Sequence, residues 1–358
     1  MSYLNNVWYC AALSEEITTT PIRRVICDEP LAIFRTESGR VAALEDRCSH
    51  RQAPLSRGLV VGEEIQCQYH GFVFDCAGGC TFVPQQTTAP RNASIKSWTL
   101  VEQWGYLWLW WGDQTLADPS RIPNLPRTRD EGFRTVYLHF SPQCNQQLMA
   151  DNLLDLSHVD FLHRHGIGSK AGAKNQADSP QIDIECHTDG ENVYYTRKVN
   201  NTTLGGTAAK WANSQLPVDR VSKQMWEKPN TVHIDLSMKN EETDILISMA
   251  HIITPETLTS SHYFMHWARD FGLDNVNYPT DEDVWAEQNG VVSGEDIPMV
   301  EAQQRNILEF NSEFDVAAKQ DMFIGNVHKL LQELYNRDGM KFPPEITRTV
   351  RARVVNAS

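Results

Sequence analysis

Long apolar runs are missing from this sequence. No stretch approaches the roughly 18 residues that a bilayer-crossing helix requires, so a membrane span is not expected. Internal repeats and low-complexity tracts are absent too. No G-x-G-x-x-G turn follows a strand, so any nicotinamide cofactor must be handled by another protein. Basic residues are scarce: 32 Lys and Arg against 46 Asp and Glu give a net charge of -14. Nucleic acid and anionic membrane surfaces both reward a basic patch, so neither is an expected partner. The opening residues, MSYLNNVWYCAALSEEI, lack the positive flank and apolar core of a secretory signal. A reducing, cytoplasmic setting is the expectation, in which 8 cysteines over 358 residues do not read as a disulfide framework.

The chain is long enough for about two domains. Residues 1–112 read as strands and tight turns: LAIFR and RVAALE flank TESG, GFVFD and CTFV flank CAGG, and GYLWLWWGD is an aromatic strand. A segment rich in proline and charge, 113–132, marks the boundary. The second domain, 113–345, opens with the strand TVYLHFSPQC and the helical NQQLMADNLLDLSHVDFLH, whose apolar positions include Leu148, Leu153, Leu156 and Val159. Strands return between 181 and 270, and helices from Thr280. Residues 346–358 read as a frayed basic tail. The expected class is α+β, with an all-β first domain and then an antiparallel sheet carrying helices.

Two short boxes hold the first cluster, Cys48-x-His50 and Cys67-x-x-His70. Zinc sites usually pair like residues, whereas here each box supplies one Cys and one His. That order suits a two-iron, two-sulfur cluster of the Rieske kind, with two Cys on one iron and two His on the other. Gly58, Gly71 and Pro54 shape the loops. Cys76 and Cys80 read as residues of a strand–turn–strand hairpin, not ligands, and Cys10, Cys27, Cys144 and Cys186 as core fillers. Such a cluster moves single electrons and has no open iron position, so catalysis requires a second site.

ADNLLDLSHVDFLHRHG supplies it. On one continuous helix Asp151, Asp155 and His158 share a face. Two imidazoles and a carboxylate leave open positions on iron(II). Regular spacing puts His165 on the ligand face, while His163 needs the helix to unwind; the residues alone leave the two undecided.

With both clusters in place, the chain resembles the terminal component of the Rieske non-haem iron oxygenases over nearly its whole length. C-x-H-x16-C-x2-H is matched by Cys48, His50, Cys67 and His70, and N-x2-D-x2-H-x4-H by Asn152, Asp155, His158 and His163. The resemblance implies a Rieske [2Fe-2S] domain, a helix-grip-like catalytic domain and a mononuclear iron held by His158, His163 and Asp296 of SGEDIPMVEAQQRN. Without it, Ser293-x-x-Asp296 reads as a helix capping box, and Glu295 competes as the ligand. The resemblance also implies that Asp155 bridges electrons from the cluster of an adjacent subunit to His158, and that Asn152 stands near the iron. Ser49 departs from the family, where proline is common.

NNVWYCAAL, HIITPET and HYFMHWARDFG carry a further likeness to aromatic O-demethylases such as those of vanillate and dicamba. This implies a monooxygenase that uses O2 and two electrons to turn an aryl methyl ether into a phenol and formaldehyde. It also implies a separate reductase, a head-to-tail homotrimer, and His251 and Trp285 as substrate residues. His233, His266 and Arg269 are weaker pocket candidates, and Arg269 reads better as paired with an acidic residue at the surface. Methyl hydroxylation, N-demethylation, ring dihydroxylation and a non-catalytic Rieske electron carrier are the alternatives.

Overall fold

The computed structural model describes residues 3–163, 182–204, 206–310, 316, 318 and 321–340. Two compact units divide the chain: residues 3–122 with 254–257, and residues 123–253 with 258 onward. His165 and the tail beyond 340 lie outside the described residues. Among those described, no helix is long and apolar enough to cross a membrane.

The first unit is built of three small antiparallel sheets. In one, Tyr106–Trp111 lies between Val7–Leu13 and Leu100–Gln103, which explains its unbroken apolar run: both of its faces are covered. In the second, the expected hairpin pairs Glu29–Arg35 with Val41–Glu45, turning through Gly39 at φ +95°. In the third, Val73–Asp75 pairs with Cys80–Phe82. Its turn needs Gly78 (φ +82°), since a Cβ there would stand 2.1 Å from the Ile95 carbonyl.

The second unit is a seven-stranded antiparallel sheet. From one edge its strands are Arg134–Phe140, Ser261–Arg269, Asp244–Pro255, Thr231–Lys239, Val218–Glu227, Asn192–Thr202 and Ile182–Thr188. Every neighbour is a chain neighbour except the first pair, so the earliest strand docks beside the last. The edge strand Ile182–Thr188 and the strand Val218–Glu227 escape the hydrophobic pattern because charged and polar residues interrupt both.

Helices pack on the sheet. Asn145 caps Gln146–Leu154 by accepting from the Gln147 N–H at 2.7 Å. Thr280 and Asp283 form a reciprocal capping box at the start of Asp281–Val291. That helix runs through a π-helical turn, Val292–Asp296, into Ile297–Phe310. Pro298 accounts for the irregularity: it has no N–H to give, and its ring collides with the carbonyl four residues back in a regular helix.

Candidate functional site

In the first unit, Cys48 and Cys67 open two loops of the same build. Each cysteine N–H donates to the carbonyl five residues on, Ala53 or Phe72, both at 2.8 Å. The residue four on donates back to the cysteine carbonyl, Gln52 at 3.0 Å and Gly71 at 2.9 Å. That residue is left-handed in both, φ +62° at Gln52 and +76° at Gly71. Cys48 and Cys67 are buried in one apolar cluster with Phe34, Leu55, Ile65 and Phe74, while His50 and His70 are exposed. The two rings lie 4.6 Å apart, centroid to centroid, with Phe72 stacked on His50.

Two inner sulfurs and two outer imidazoles form a donor set suited to a Rieske cluster. Burial pushes the Cys48 thiol up to about 11, and the neighbouring Cys67 thiol adds to the rise. Bound iron would offset that by holding both as thiolates. Ser49, in the place where proline is common, donates from Oγ to the Ala93 carbonyl at 2.7 Å and ties the two segments together.

In the second unit, the helix that begins at Gln146 stops at Leu154. Asp155 is extended (φ -104°, ψ 90°), and its carboxylate caps the next turn by accepting from the Ser157 N–H at 2.8 Å. The single face expected for Asp151, Asp155 and His158 is therefore broken by this cap. Asp151 turns instead to Gln147 and to His328, whose Nε2 lies 2.9 Å from its carboxylate. His158 follows in a 3-10 turn, and His163 ends the short helix Val159–Leu162.

His158, His163 and Asp296 meet with their ligand atoms all within 4.8 Å of one another. Asp296 Oδ1 lies 3.2 Å from His163 Nε2, 3.5 Å from His158 Nε2 and 3.3 Å from the donating Asn152 Nδ2. The other ring nitrogens are engaged: His158 Nδ1 with the Asp155 carbonyl and His163 Nδ1 with the Glu295 carboxylate, both at 2.5 Å. Each ring thereby presents Nε2 inward, the arrangement a metal-ligating histidine needs. Burial works to lower the pKa of His163, but the Asp296 and Glu295 carboxylates outweigh it and the pKa is raised. Two imidazoles and one carboxylate on one side fit a mononuclear iron with open positions.

Glu295 thus stands behind His163, not beside Asp296. The capping-box alternative fails as well: Ser293 Oγ donates back to the Asn289 carbonyl at 2.6 Å, inside the helix. An adjacent carboxylate pair was visible in the sequence, but nothing in it assigned the outer role to Glu295.

The triad lines one wall of a cavity of about 100 Å³. Its floor is the sheet, where Ser222, Leu236 and Ile247 form one rung and Ile234 and Met249 belong to the next. His251 stands one rung further, opposite Val232. Burial drives its pKa down to about 4, so the ring is neutral. Its Nδ1 lies 2.6 Å from the Tyr263 hydroxyl, whose pKa burial raises well above the usual phenol value. The Tyr263 hydroxyl also stands 3.6 Å from Met265 Sδ; when it donates instead to Nδ1, the ring proton sits on Nε2, which has no partner among the described residues.

Trp285 does not reach this cavity. It lies one turn before Gln288 and is 47% exposed. Arg269 is buried and pairs with Asp281 at 2.6 Å, and His233 lies 3.2 Å from Glu227. A larger open groove of about 1040 Å³ includes Lys210, Glu242 and Asp283 but none of the triad.

Comparison with known proteins agrees with both halves. Residues 7–99 match the Rieske [2Fe-2S] domain, and residues 142–337 match the vanillate O-demethylase oxygenase C-terminal domain. The chain is 35% identical over 312 residues to the dicamba O-demethylase oxygenase component of Stenotrophomonas maltophilia, covering 85% of this chain and 89% of that one. It is 32% identical over 319 residues to a vanillate O-demethylase oxygenase subunit of Pseudomonas sp. (strain HR199 / DSM 7063), covering 85% and 87%. The crystal structure of dicamba monooxygenase bound to 3,6-dichlorosalicylic acid superposes with a TM-score of 0.86 at 32% identity, covering 95% of this chain and 99% of that one.

Proposed function

This chain belongs to the Rieske non-haem iron oxygenases whose catalytic half is of the vanillate O-demethylase type, and from that premise we propose that it O-demethylates a methoxylated aromatic acid. It is a Rieske-type monooxygenase, the oxygenase component of a multicomponent system, with a [2Fe-2S] cluster and a mononuclear iron as its cofactors. The balanced reaction consumes the methyl ether, O2, two electrons and two protons, and yields the phenol, formaldehyde and water. The iron, when bound, supplies activation of O2.

The observation that carries the catalytic reading is the second donor set, His158, His163 and Asp296, at the wall of a cavity with an apolar floor. A plain electron carrier has no use for it. In this reading Cys48, His50, Cys67 and His70 hold the cluster within residues 1–112, and the triad holds iron within residues 113–345. Asn152 steadies Asp296. His251, neutral and proton-bearing at Nε2, donates to an oxygen of the substrate, and the apolar floor excludes water from the methyl group. Tyr263 positions that donor.

Electrons come from a separate reductase, since the chain has no nucleotide fingerprint of its own. Asp155 then serves as the bridge to the cluster of a neighbouring subunit in a cytoplasmic head-to-tail trimer, a heterologous contact that closes into a ring. The test is a panel of methoxylated aromatic acids with the iron-loaded protein, O2 and a reductant, assayed for formaldehyde and the matching phenol. A cis-diol product, or no formaldehyde from any of them, overturns the reading.

A further inference from the structure

Gln288 is 5% exposed and lines the same cavity as the metal triad, and its Nε2 has no hydrogen-bond partner among the described residues. A buried amide donor without an acceptor is costly, so one facing a cavity points to an acceptor on a ligand. Its position along the chain gives the depth. Gln288 stands eight residues before Asp296, and Val291 and Val292 between them line the same cavity. At about 1.5 Å per residue the separation is about 12 Å along the helix, somewhat less through the π turn. From Asp296 outward, this wall is charged, then apolar, then polar again.

Another cavity-lining polar atom without a partner among the described residues is His251 Nε2, on the sheet opposite Val232. Gln288 on the helix and His251 on the sheet therefore meet a bound ring from different elements. With bonds of about 1.4–1.5 Å, a methoxybenzoate measures about 7 Å from its methyl carbon to the oxygens of a para carboxylate. With the methyl group at the triad, an ortho substituent stays close to the triad. A meta or para carboxylate extends past the valines towards Gln288.

We propose that Gln288 is a specificity-determining residue that binds the substituent far from the metal, so that this enzyme takes methoxylated aromatic acids whose carboxylate is meta or para to the methoxy group. This rests on the O-demethylase reading and adds a substrate class to it.

Anaerobic titration calorimetry of the full-length, iron-loaded protein with 2-, 3- and 4-methoxybenzoate tests the assignment. Gln288→Leu and the isosteric Gln288→Glu should each raise Kd for the 3- and 4-isomers by about 10- to 100-fold and leave the 2-isomer within about twofold. Gln288→Glu should also bind 3- and 4-methoxybenzamide better than the corresponding acids, because the amide can donate to the new carboxylate. Retained melting temperature and iron content show that the variants fold. Equal losses for all three isomers, no loss in either variant, or no binding of any isomer by the wild type overturns the proposal. So does an isomer-selective loss in Arg220→Gln that neither Gln288 variant reproduces, since Arg220 also lines the cavity. Formaldehyde from one turnover of the pre-reduced protein is read separately. Isomer-selective binding without formaldehyde overturns the demethylase reading and leaves the role of Gln288 standing.

Discussion

The carboxylate of Glu295 lies against Nδ1 of His163 at 2.5 Å, on the side of the ring away from Asp296. Neighbours in sequence, Glu295 and Asp296 thus reach opposite nitrogens of one imidazole, since successive helix residues point about 100° apart. The outer carboxylate fixes the ring and strengthens its inward nitrogen as a ligand.

Glu295→Gln should therefore weaken iron retention by about 10- to 100-fold without emptying the site, whereas Asp296→Ala should empty it. Iron content after dialysis against a graded chelator measures both. Full retention in Asp296→Ala would make Glu295 the ligand. The raised pKa of His163 gives this a pH dependence. The ring must lose its proton to bind metal, so loading should fall as pH drops through that raised pKa, and Glu295→Gln should shift the fall to lower pH.

Asp155 offers a cleaner test of electron transfer than a deletion does. Its carboxylate caps the turn at Ser157, a role asparagine can keep. Asp155→Asn should retain both metal centres and the visible absorption of the cluster while turnover falls to background. Asp155→Ala should behave likewise but lose about 1 kcal/mol of stability with the cap. Loss of the mononuclear iron in Asp155→Asn would show a ligand role instead.

His251 sets an expectation about pH. An exposed histidine anchoring an anion would bind it more tightly as pH falls from 8 to 6. Burial holds this ring's pKa near 4, and bound iron would depress it further, so it stays neutral across that range. Kd for 2-methoxybenzoate should be flat from pH 8 to 6. Tyr263→Phe should weaken binding by several-fold, because the ring proton is then free to move to Nδ1 and leave an acceptor facing the acid. A tenfold tightening at pH 6 in the wild type would mean that a cationic imidazole is the anchor.

At Ser49 the hydroxyl, not a proline ring, holds the first box to the segment around Ala93. Ser49→Ala should cost about 1 kcal/mol of stability, read from thermal unfolding, with the cluster spectrum unchanged. Loss of the cluster would make the hydroxyl part of its support.

Apolar alternation and short apolar runs made the hairpins of the first unit and five strands of the sheet legible, the strand Ser261–Arg269 being buried on both faces. The cluster boxes were legible because ligand type and spacing survive without a structure. The metal site was less so, for a physical reason. Helical spacing assumes a continuous helix, and Asp155 breaks it by capping the next turn, so no count from His158 decides between His163 and His165. Asp296 resembled a cap because an acid three residues after a serine has the same pattern in either role. Tyr263 and Gln288 carry no signal at all. Their function comes from a hydrogen bond across strands and from which way one helix faces.

Pro298 is the residue that most directly connects chain chemistry to the metal. The Ile297 N–H reaches back five residues to Val292, closing the π turn that ends on Asp296. Proline favours this by removing the donor that would otherwise bond to the Gly294 carbonyl. Pro298→Ala restores that donor and allows a regular α-helix, which rotates Asp296 away from His158 and His163. The variant should gain stability, by about 1–3 kcal/mol, since alanine far outranks proline inside a helix. It should also retain iron about tenfold less well. Thermal unfolding without iron and chelator competition with it measure the two effects independently. A variant that is more stable and binds iron as tightly as the wild type would show that the sheet and Glu295, not the π turn, set the position of Asp296.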